Sequence, residues 1–453
     1  MYTMVAFLTP MYPSTLARAH LVGAIPFNLT PSSAIEGLRR IFMNRQITRA
    51  LVALIALSFA ISVAHADRRT SLGGNMLIPD RDDVFVYPQL AVKKNYNRSA
   101  SIDFGANSEV GNALLIAGPN KKSAIGVALH RSDSILSIGG GFYNGSPELG
   151  MTGNNLVPMA FTSGGDPTTP LNIADLIYAS KMGKNKLGFR LGFVGQGNET
   201  TADGDHVNGQ GIFGLRLSAG YSMGKKGDFV FDFSNMTGKQ TSGKDADVDH
   251  DASFMNVHVG GRYYLSQQKG FKLGSLFDIN FANYGNTNYS TGGDDVASNL
   301  SIFGLQAGFG PVYSGKANDK SYTVAFHGHF GVRSVSTEPN DQKDDDETSN
   351  MNIMFPGFNI AMEYQLLEWL VFRSGANYSY VISDSTTTTP GGDEAVAKTY
   401  GAGNFGWNSG FGFLMGNFRI DGTLSQGFMT GGPQFIGGSA NGLFSLVSAT
   451  GTF

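Results

Sequence analysis

The sequence contains no cysteine and only two tryptophans among its 453 residues. The absence of cysteine excludes disulfide scaffolds, thiolate metal sites and cysteine nucleophiles. Charged residues make up 15 % of the chain and the formal net charge is −3, whereas a nucleic-acid-binding domain is normally basic. The mean hydropathy is slightly below zero, and the chain lacks the repeated apolar runs of about 20 residues that a helical membrane protein needs.

Glycine and phenylalanine are abundant, with 61 and 33 copies respectively. The glycine content is about twice the average usage in proteins. The many aromatic residues and the small net charge exclude a disordered chain. Such a composition is typical of an all-β protein, either soluble or inserted in an outer membrane.

One apolar run, residues 50–63, indicates that the protein is exported from the cytoplasm. Arg45 and Arg49 precede this run, and Ala64-His65-Ala66 follows it. A basic region, a short apolar core and an A-x-A site form a secretory signal peptide. We therefore predict a signal peptide over 43–66 with cleavage after Ala66. Residues 1–42 are predicted to be a mis-called start or an extended N-terminus.

Period-2 alternation of apolar and polar residues dominates the chain from about residue 186 onward. In residues 213–223, for example, Phe, Leu, Ala, Tyr and Met share one face, and Gly, Arg and Ser share the other. The alternating segments run for about 9–14 residues, longer than the usual strands of soluble proteins. A barrel in a membrane would turn the apolar face to lipid and the polar face to its lumen.

Short and long connections alternate between these strands, and this asymmetry favours an outer-membrane barrel. The predicted short turns are 183–185, 225–227, 267–270, 316–320, 367–369 and 416–417. The predicted long polar loops are 197–208, 237–251, 286–299, 336–350, 383–398 and 429–441. Tyr264, Tyr284, Tyr313 and Trp369 lie near strand ends, where aromatic residues form interfacial girdles.

We predict an all-β fold, a transmembrane antiparallel β-barrel of about 14–16 strands. The chain ends on an alternating strand with Phe453 as its last residue. This ending resembles the signal that the barrel assembly machinery reads, so that machinery is a predicted partner. Outer-membrane lipid and lipopolysaccharide are the other predicted partners, and no nucleic acid is expected.

Charged and histidine side chains on the polar faces are the candidate lumen lining. Such residues pair into structural ladders and set the ion selectivity of a pore. No nucleophile motif accompanies them, so we predict neither an enzyme nor a cofactor. The predicted lumen-lining residues are Arg190, Arg216, Asp232, His258, Arg262, Asp278, His327, His329, Arg333, Glu363, Arg373, Arg419 and Asp421.

Other motifs are weak. Two G-x-G-x-x-G matches, starting at Gly209 and Gly401, merge into alternating strands and open no helix, so glycine there is interpreted as keeping the luminal face small. An acidic segment offers oxygen ligands of the kind that Ca²⁺ prefers. It lacks the glycine and the distal glutamate of an EF-hand loop, and a solvated acidic loop is the favoured interpretation. The calcium candidates are Asp245, Asp247, Asp249 and Asp251.

Residues 69–90 contain Leu72-Gly73-Gly74, then Asp82-Asp83, then Tyr87-Pro88-Gln89. This order resembles the start of the long-chain fatty-acid transporter (FadL-like) barrels and their PorV-type relatives. In that family an Asn-Pro-Ala motif follows the acidic pair, so Asn and Ala are missing here. The resemblance implies a 14-stranded barrel, residues 98–453, whose N-terminal segment, residues 67–97, folds into the lumen as a plug.

The predicted function is passive transport across the cell outer membrane. The N-terminal resemblance implies a hydrophobic small-molecule substrate, whereas the arginine-rich strands favour a polar lumen, as in a porin. The alternative is a non-transport barrel, namely a structural protein, an adhesin or a secretion partner that acts through its long extracellular loops. A soluble secreted β protein is the third class.

Overall fold

The described residues fold into one closed antiparallel β-barrel, with a short segment, residues 68–97, inside it. The structure is a computed structural model, and it describes ten ranges of the chain. These ranges are 68–105, 112–131, 172–202, 205–242, 247–288, 296–339, 347–389, 393–401, 405–424 and 444–453. No helix within them is long and apolar enough to cross a bilayer.

In the described ranges, three short helical turns precede seventeen β-segments. The helical elements are α1 (Arg68–Ser71), α2 (Asp83–Val86) and a 3-10 helix (Pro88–Val92). The first nine β-segments are β1 (Ser99–Gly105), β2 (Asn112–Asn120), β3 (Ser123–Arg131), β4 (Asn172–Met182), β5 (Asn185–Ala202), β6 (Asp205–Met223), β7 (Gly227–Ser242), β8 (Asp247–Gln268) and β9 (Phe271–Asn288). The others are β10 (Val296–Ala317), β11 (Lys320–Pro339), β12 (Glu347–Leu367), β13 (Leu370–Thr388), β14 (Glu394–Gly401), β15 (Phe405–Met415), β16 (Phe418–Leu424) and β17 (Phe444–Thr452).

Apart from β14 and β15, each segment pairs with its neighbour in sequence, and the last segment pairs with the first. β17 lies antiparallel to β1, with Ser99 opposite Thr452, so the sheet has no free edge. β14 and β15 both pair with β13, along its two halves, and are therefore two pieces of one strand. The barrel thus has 16 strands, within the predicted range of 14–16 and above the 14 that the family resemblance implies.

The outward face changes from apolar to polar part of the way along each long strand. On β8, the outward residues from Met255 to Leu265 are mostly apolar, and Ser253 and Asp251 follow them toward the far end. The apolar stretch of 11 residues matches the 9–11 residues that a tilted strand needs to cross a bilayer. The predicted transmembrane barrel is therefore confirmed, with its membrane-facing band near the short turns.

The predicted long loops are wrong in their boundaries. Segments 197–202 and 205–208 belong to β5 and β6, and only residues 203–204 separate the two strands. Both ends of segments 237–251, 286–299, 336–350 and 383–398 likewise belong to the flanking strands. Segment 429–441 lies outside the described residues. A ladder of backbone hydrogen bonds needs no apolar side chains. Strands β5–β13 therefore continue past the apolar band and reach total lengths of 16–22 residues.

Residues 68–97, the plug, lie inside the barrel at the short-turn end. Gly73 and Gly74, both with positive φ, end α1, as glycine does at many helix C-termini. Leu72, Leu77 and Val84 are almost fully buried in a core that also includes inward-facing strand residues. The predicted fold, a barrel with a short N-terminal luminal plug, is confirmed.

Candidate functional site

A buried arginine on the barrel wall holds the middle of the plug. Arg262 of β8 donates from Nη1 to Asp83 Oδ2 of the plug at 2.6 Å and to the Met76 carbonyl at 3.1 Å. Its Nε donates to Asp228 Oδ2 at 2.8 Å, and Ser222 donates to the other oxygen of that carboxylate. Arg262 is fully enclosed, so it bridges a plug carboxylate and a wall carboxylate away from water.

The plug side of this cluster is equally well paired. Arg69 donates to Asp83 Oδ1, while the Asp80 amide donates to Asp83 Oδ2 at 3.1 Å. The ring of Tyr87 lies 5.0 Å from the Arg262 guanidinium carbon, a cation–π distance. Burial raises the pKa of Tyr87, so the phenol stays neutral beneath the cation.

A second cluster fixes the start of the plug to strands β12–β16. Arg68 makes a bidentate pair with Glu363, with Nε–Oε2 and Nη2–Oε1 distances of 2.7 and 2.9 Å. Arg373 Nε also donates to Glu363 Oε2, at 2.7 Å, and Arg373 Nη2 lies 2.7 Å from Asp421 Oδ1. Arg419 pairs with Asp421 at 2.7 Å. Four of the predicted lumen residues therefore form one network that encloses a plug arginine.

Asp80 joins this network through Arg68, whose Nη1 lies 3.3 Å from Asp80 Oδ2. Burial alone would raise the pKa of Asp80, but the positive charges of Arg68, Arg69 and Arg419 outweigh burial and hold its pKa below the usual value. Asp80 is thus an anion at neutral pH, and its charge stabilises the docked plug.

A third group of predicted residues forms a ladder above the plug without touching it. Arg216 lies 3.2 Å from Asp232, and His258 bridges Asp232 and Asp278 at 2.7 and 2.6 Å. These side chains come from β6–β9, and each is almost fully buried. The register explains the contact, because Asp232 stands directly opposite His258.

The remaining predicted residues lie on β5 and β11. Arg190 makes a bidentate pair with Asp175 at 2.9 Å and donates to the Phe85 carbonyl of the plug at 2.6 Å. His327 and His329 are buried, with ring centroids 5.7 Å apart. His327 lies 3.4 Å from Asn75 of the plug. Arg333 is further along β11 and is also buried.

An apolar collar lines the inside of the barrel on the far side of the ladder. Its members come from β5–β10 and pack together in a buried cluster separate from the plug core. Phe254, Ile302 and Val194 are among the most enclosed. The apolar collar consists of Val194, Ile212, Met236, Ala252, Phe254, Ala282, Tyr284 and Ile302.

Several glycines on the inward faces make room for the plug. A Cβ on Gly375 would collide with the backbone of Leu72 and Gly73, and one on Gly188 would collide with the backbone of Gln89. The interpretation that glycine keeps the luminal face small is wrong for Gly211 of the first glycine motif, which is exposed and has open space around it. The glycines that make room inside the barrel are others, such as Gly188 and Gly375.

Sequence reasoning missed several residues of the site. Asp175, Asp228 and Asn359 lie at inward-facing positions of β4, β7 and β12. The alternation of side chains alone therefore contained a signal for them.

Tyr264 was expected in an interfacial girdle but faces inward, and its hydroxyl donates to the Leu77 carbonyl at 3.1 Å. Tyr284 is also buried inside, whereas Trp369 and Tyr313 are about half exposed and fit the girdle.

The calcium candidates lie at the far end of β8. Asp245 is outside the described residues, and Asp247, Asp249 and Asp251 belong to the strand rather than to a loop. Within the described ranges, no group of three or more His, Asp or Glu side chains is arranged to hold a metal ion.

Comparison with protein-family models and with curated proteins gives no match. Among solved structures, the chain is similar to the Pseudomonas putida toluene transporter TodX, with 10 % identity and a TM-score of 0.28, over 86 % of this chain and 92 % of that one. It is also similar to the transport unit of the autotransporter AIDA-I from Escherichia coli, with 12 % identity and a TM-score of 0.31, over 67 % and 97 %. The β domain of the Bordetella autotransporter BrkA gives 9 % identity and a TM-score of 0.30, over 70 % and 99 %. Similarity at this level does not identify a function, and it supports neither the PorV-type relation nor the N-terminal match.

Proposed function

We propose that the chain is an outer-membrane channel for small apolar solutes, closed at its short-turn end by the plug. The observation that carries this proposal is the docking of the plug through Arg262 and Glu363. Inward charges of an open porin would face water, whereas these charges are paired with the plug and with each other. A plugged lumen therefore fits the geometry better than a permanently open polar pore.

The apolar collar supports an apolar solute. It lies on the opposite side of the charged ladder from the plug, where a solute that enters between the extended hairpins would meet it first. Burying apolar surface is favourable by about 25 cal/mol per Å², so the collar would concentrate apolar molecules above the plug. The FadL-like resemblance implies the same substrate class.

Planar-bilayer recording of the chain from residue 67 onward, refolded in detergent, tests whether the lumen is closed. We expect a mostly silent barrel, and we expect steady current steps after deletion of residues 68–97. Large, stable steps from the intact protein would contradict the plugged channel and favour a porin.

Binding of phenylnaphthylamine, an apolar fluorophore, tests the collar. Phe254→Asn should weaken binding roughly tenfold or more, because burying a phenylalanine contributes about 1.5–3 kcal/mol. Phe254→Leu is the matched control, since it keeps the site apolar and should bind within about threefold of the wild type. Equal binding by the Asn variant and the wild type would contradict an apolar solute path through the collar.

The alternative is a non-transport barrel that binds a partner through its far end. The observation in its favour is the continuation of strands such as β8 and β12 beyond the apolar band, with polar and acidic outward residues. Under this alternative, plug deletion would yield no solute passage, and changes to the hairpin tips would abolish surface binding. Recognition of the last strand by the barrel assembly machinery is part of both proposals.

A further inference from the structure

The two ends of the barrel carry opposite charge. Four consecutive short turns, after β2, β4, β6 and β8, carry lysines and no acidic residue. At the other end, the acidic residues Glu338, Glu347, Asp393 and Glu394 lie at or next to the ends of described strands. The lysine arc is defined as Lys121, Lys122, Lys184, Lys225, Lys226 and Lys269.

All six lysines of the arc are exposed. None of them lies within ion-pairing distance of a carboxylate in the part of the chain that the structure describes. Lysine does pair at the opposite end, where Lys398 Nζ lies 3.2 Å from Asp384. The nearest carboxylate along the chain, Asp228, is buried and bonded to Arg262. The arc therefore presents positive charge that no carboxylate in the described ranges neutralises.

The arc adjoins the edge of the membrane-facing apolar band. Outward-facing Met182, Met223 and Leu265 lie within four residues of arc lysines and are 60 %, 41 % and 61 % exposed. A lysine at such a boundary keeps its stem on apolar surface and its ammonium at the level of lipid headgroups. Ammonium groups near a leaflet attract anionic lipid.

We propose that the lysine arc binds the phosphate headgroups of anionic phospholipids in the leaflet at the short-turn end. The arc follows the barrel wall along β2–β9 at the edge of the apolar band, which is the course of a leaflet surface. The turn between β12 and β13 has no lysine and carries Glu368 and Trp369. The turn between β10 and β11 carries Asp319 beside Lys316 and Lys320. The proposal therefore places the anionic lipid around β2–β9 and away from the turn between β12 and β13.

The test measures lipid selectivity at the barrel surface by electron spin resonance. The full chain is reconstituted in dioleoyl phosphatidylcholine vesicles that contain spin-labelled phosphatidylglycerol or spin-labelled phosphatidylcholine. We expect the wild type to retain phosphatidylglycerol about threefold more strongly than phosphatidylcholine. This preference should fall in high salt, because exposed charges are screened.

Matched variants separate the effect of the lysine arc from the effect of the protein's net charge. K225Q/K226Q removes two arc lysines, and K239Q/K398Q removes two exposed lysines at the opposite end. The first variant should reduce the preference, the second should leave it unchanged, and a variant with all six arc lysines changed to Gln should abolish it. The turns are exposed, and heat-modifiable migration on gels reports that each variant is folded.

Three results would overturn the proposal. The first is equal retention of the two lipids by the wild type, which would leave an acidic protein as the partner that fits the arc. The second is an equal loss in the two double variants. The third is a preference that persists when all six lysines are changed. None of these results depends on whether the lumen conducts.

Discussion

Replacing Arg262 with methionine is expected to release the plug. Methionine keeps most of the length of the side chain but cannot donate to Asp83 or to the Met76 carbonyl. The plug loses two hydrogen bonds donated by the guanidinium, one of 2.6 Å to the Asp83 carboxylate and one of 3.1 Å to the Met76 carbonyl. The wall keeps its own carboxylate, Asp228, which loses its Nε partner.

The size of the effect follows from these contacts. A buried hydrogen bond that involves a charged group contributes about 1.5–3 kcal/mol. Because the guanidinium donates both lost bonds, docking of the plug should weaken by about 3–6 kcal/mol, which raises the open fraction roughly 100- to 20,000-fold at 1.4 kcal/mol per factor of ten. Arg69 still pairs with Asp83, so the plug keeps part of its attachment and the lower half of that range is the firmer expectation.

Single-channel recording measures the open fraction directly. The matched control is Arg216→Met, because Arg216 is also a buried arginine but its ion pair is with Asp232 of the barrel wall. We expect frequent openings in Arg262→Met and wild-type behaviour in Arg216→Met. Adding Asp83→Asn to Arg262→Met also removes the ion pair with Arg69, so the double variant should open more often than Arg262→Met alone. Equal opening of the two arginine variants would refute the reasoning, since destabilisation of the wall would then explain both.

Two further changes act on the plug. Gly188→Ala places a Cβ against the backbone of Gln89; backbone cannot rotate away, so the plug should shift, and limited proteolysis should cut it faster. For Asp80, whose pKa is held low by Arg68, the stabilisation of docking is complete above about pH 4 and is lost as the pH falls through the lowered pKa. Acid should therefore open the wild type, and Asp80→Asn should open at neutral pH and respond less to acid in the same recordings.

The controls for these changes come from the same chain. A Cβ on Gly451 would meet nothing within 4 Å, so Gly451→Ala should be cut at the wild-type rate. Equal cleavage of Gly188→Ala and the wild type would show that the close approach to Gln89 does not hold the plug. An acid response in Asp80→Asn as steep as that of the wild type would assign the titration to another carboxylate.

The alternation of side chains identified which residues face inward, because successive residues of a strand point to opposite faces. Asp232, His258 and Asp278 were placed on polar faces by this rule, and all three are buried inside. Tyr264 is two residues after Arg262 on β8, so it faces the same side and could have been assigned to the lumen in the same way. Its position near a strand end was the weaker signal, and it led to the wrong assignment.

The contacts between inward residues could not be predicted, since they depend on strand register. Asp232 meets His258 because β7 and β8 pair so that these two residues are opposite. A shift of two residues would preserve every inward assignment and break that contact. The strand ends were missed for a related reason, since polar hairpin tips satisfy their backbone hydrogen bonds as fully as apolar strands do.

The contacts of the plug are even harder to predict from the sequence than the contacts between strands. Arg68 and Glu363 are 295 positions apart, and the plug has no periodicity that relates it to a strand. One local signal was nevertheless present. Gly188 and Gly375 occupy inward positions where any side chain would strike the plug backbone, so inward glycines mark where a second chain segment approaches the wall.

The arginine content of the strands was taken as favouring a polar lumen, and the contacts of Arg262 and Arg373 show why this inference is unsafe. The hydrogen bonds of Arg262 all end on protein atoms, two of them on the plug. Arg373 likewise reaches Glu363, which the plug residue Arg68 also binds. A buried charge needs a partner because desolvation is costly, and inside a barrel that partner is either water or another part of the chain. Inward charge therefore reports what fills this barrel at the short-turn end, and the apolar collar is the better guide to what passes above it.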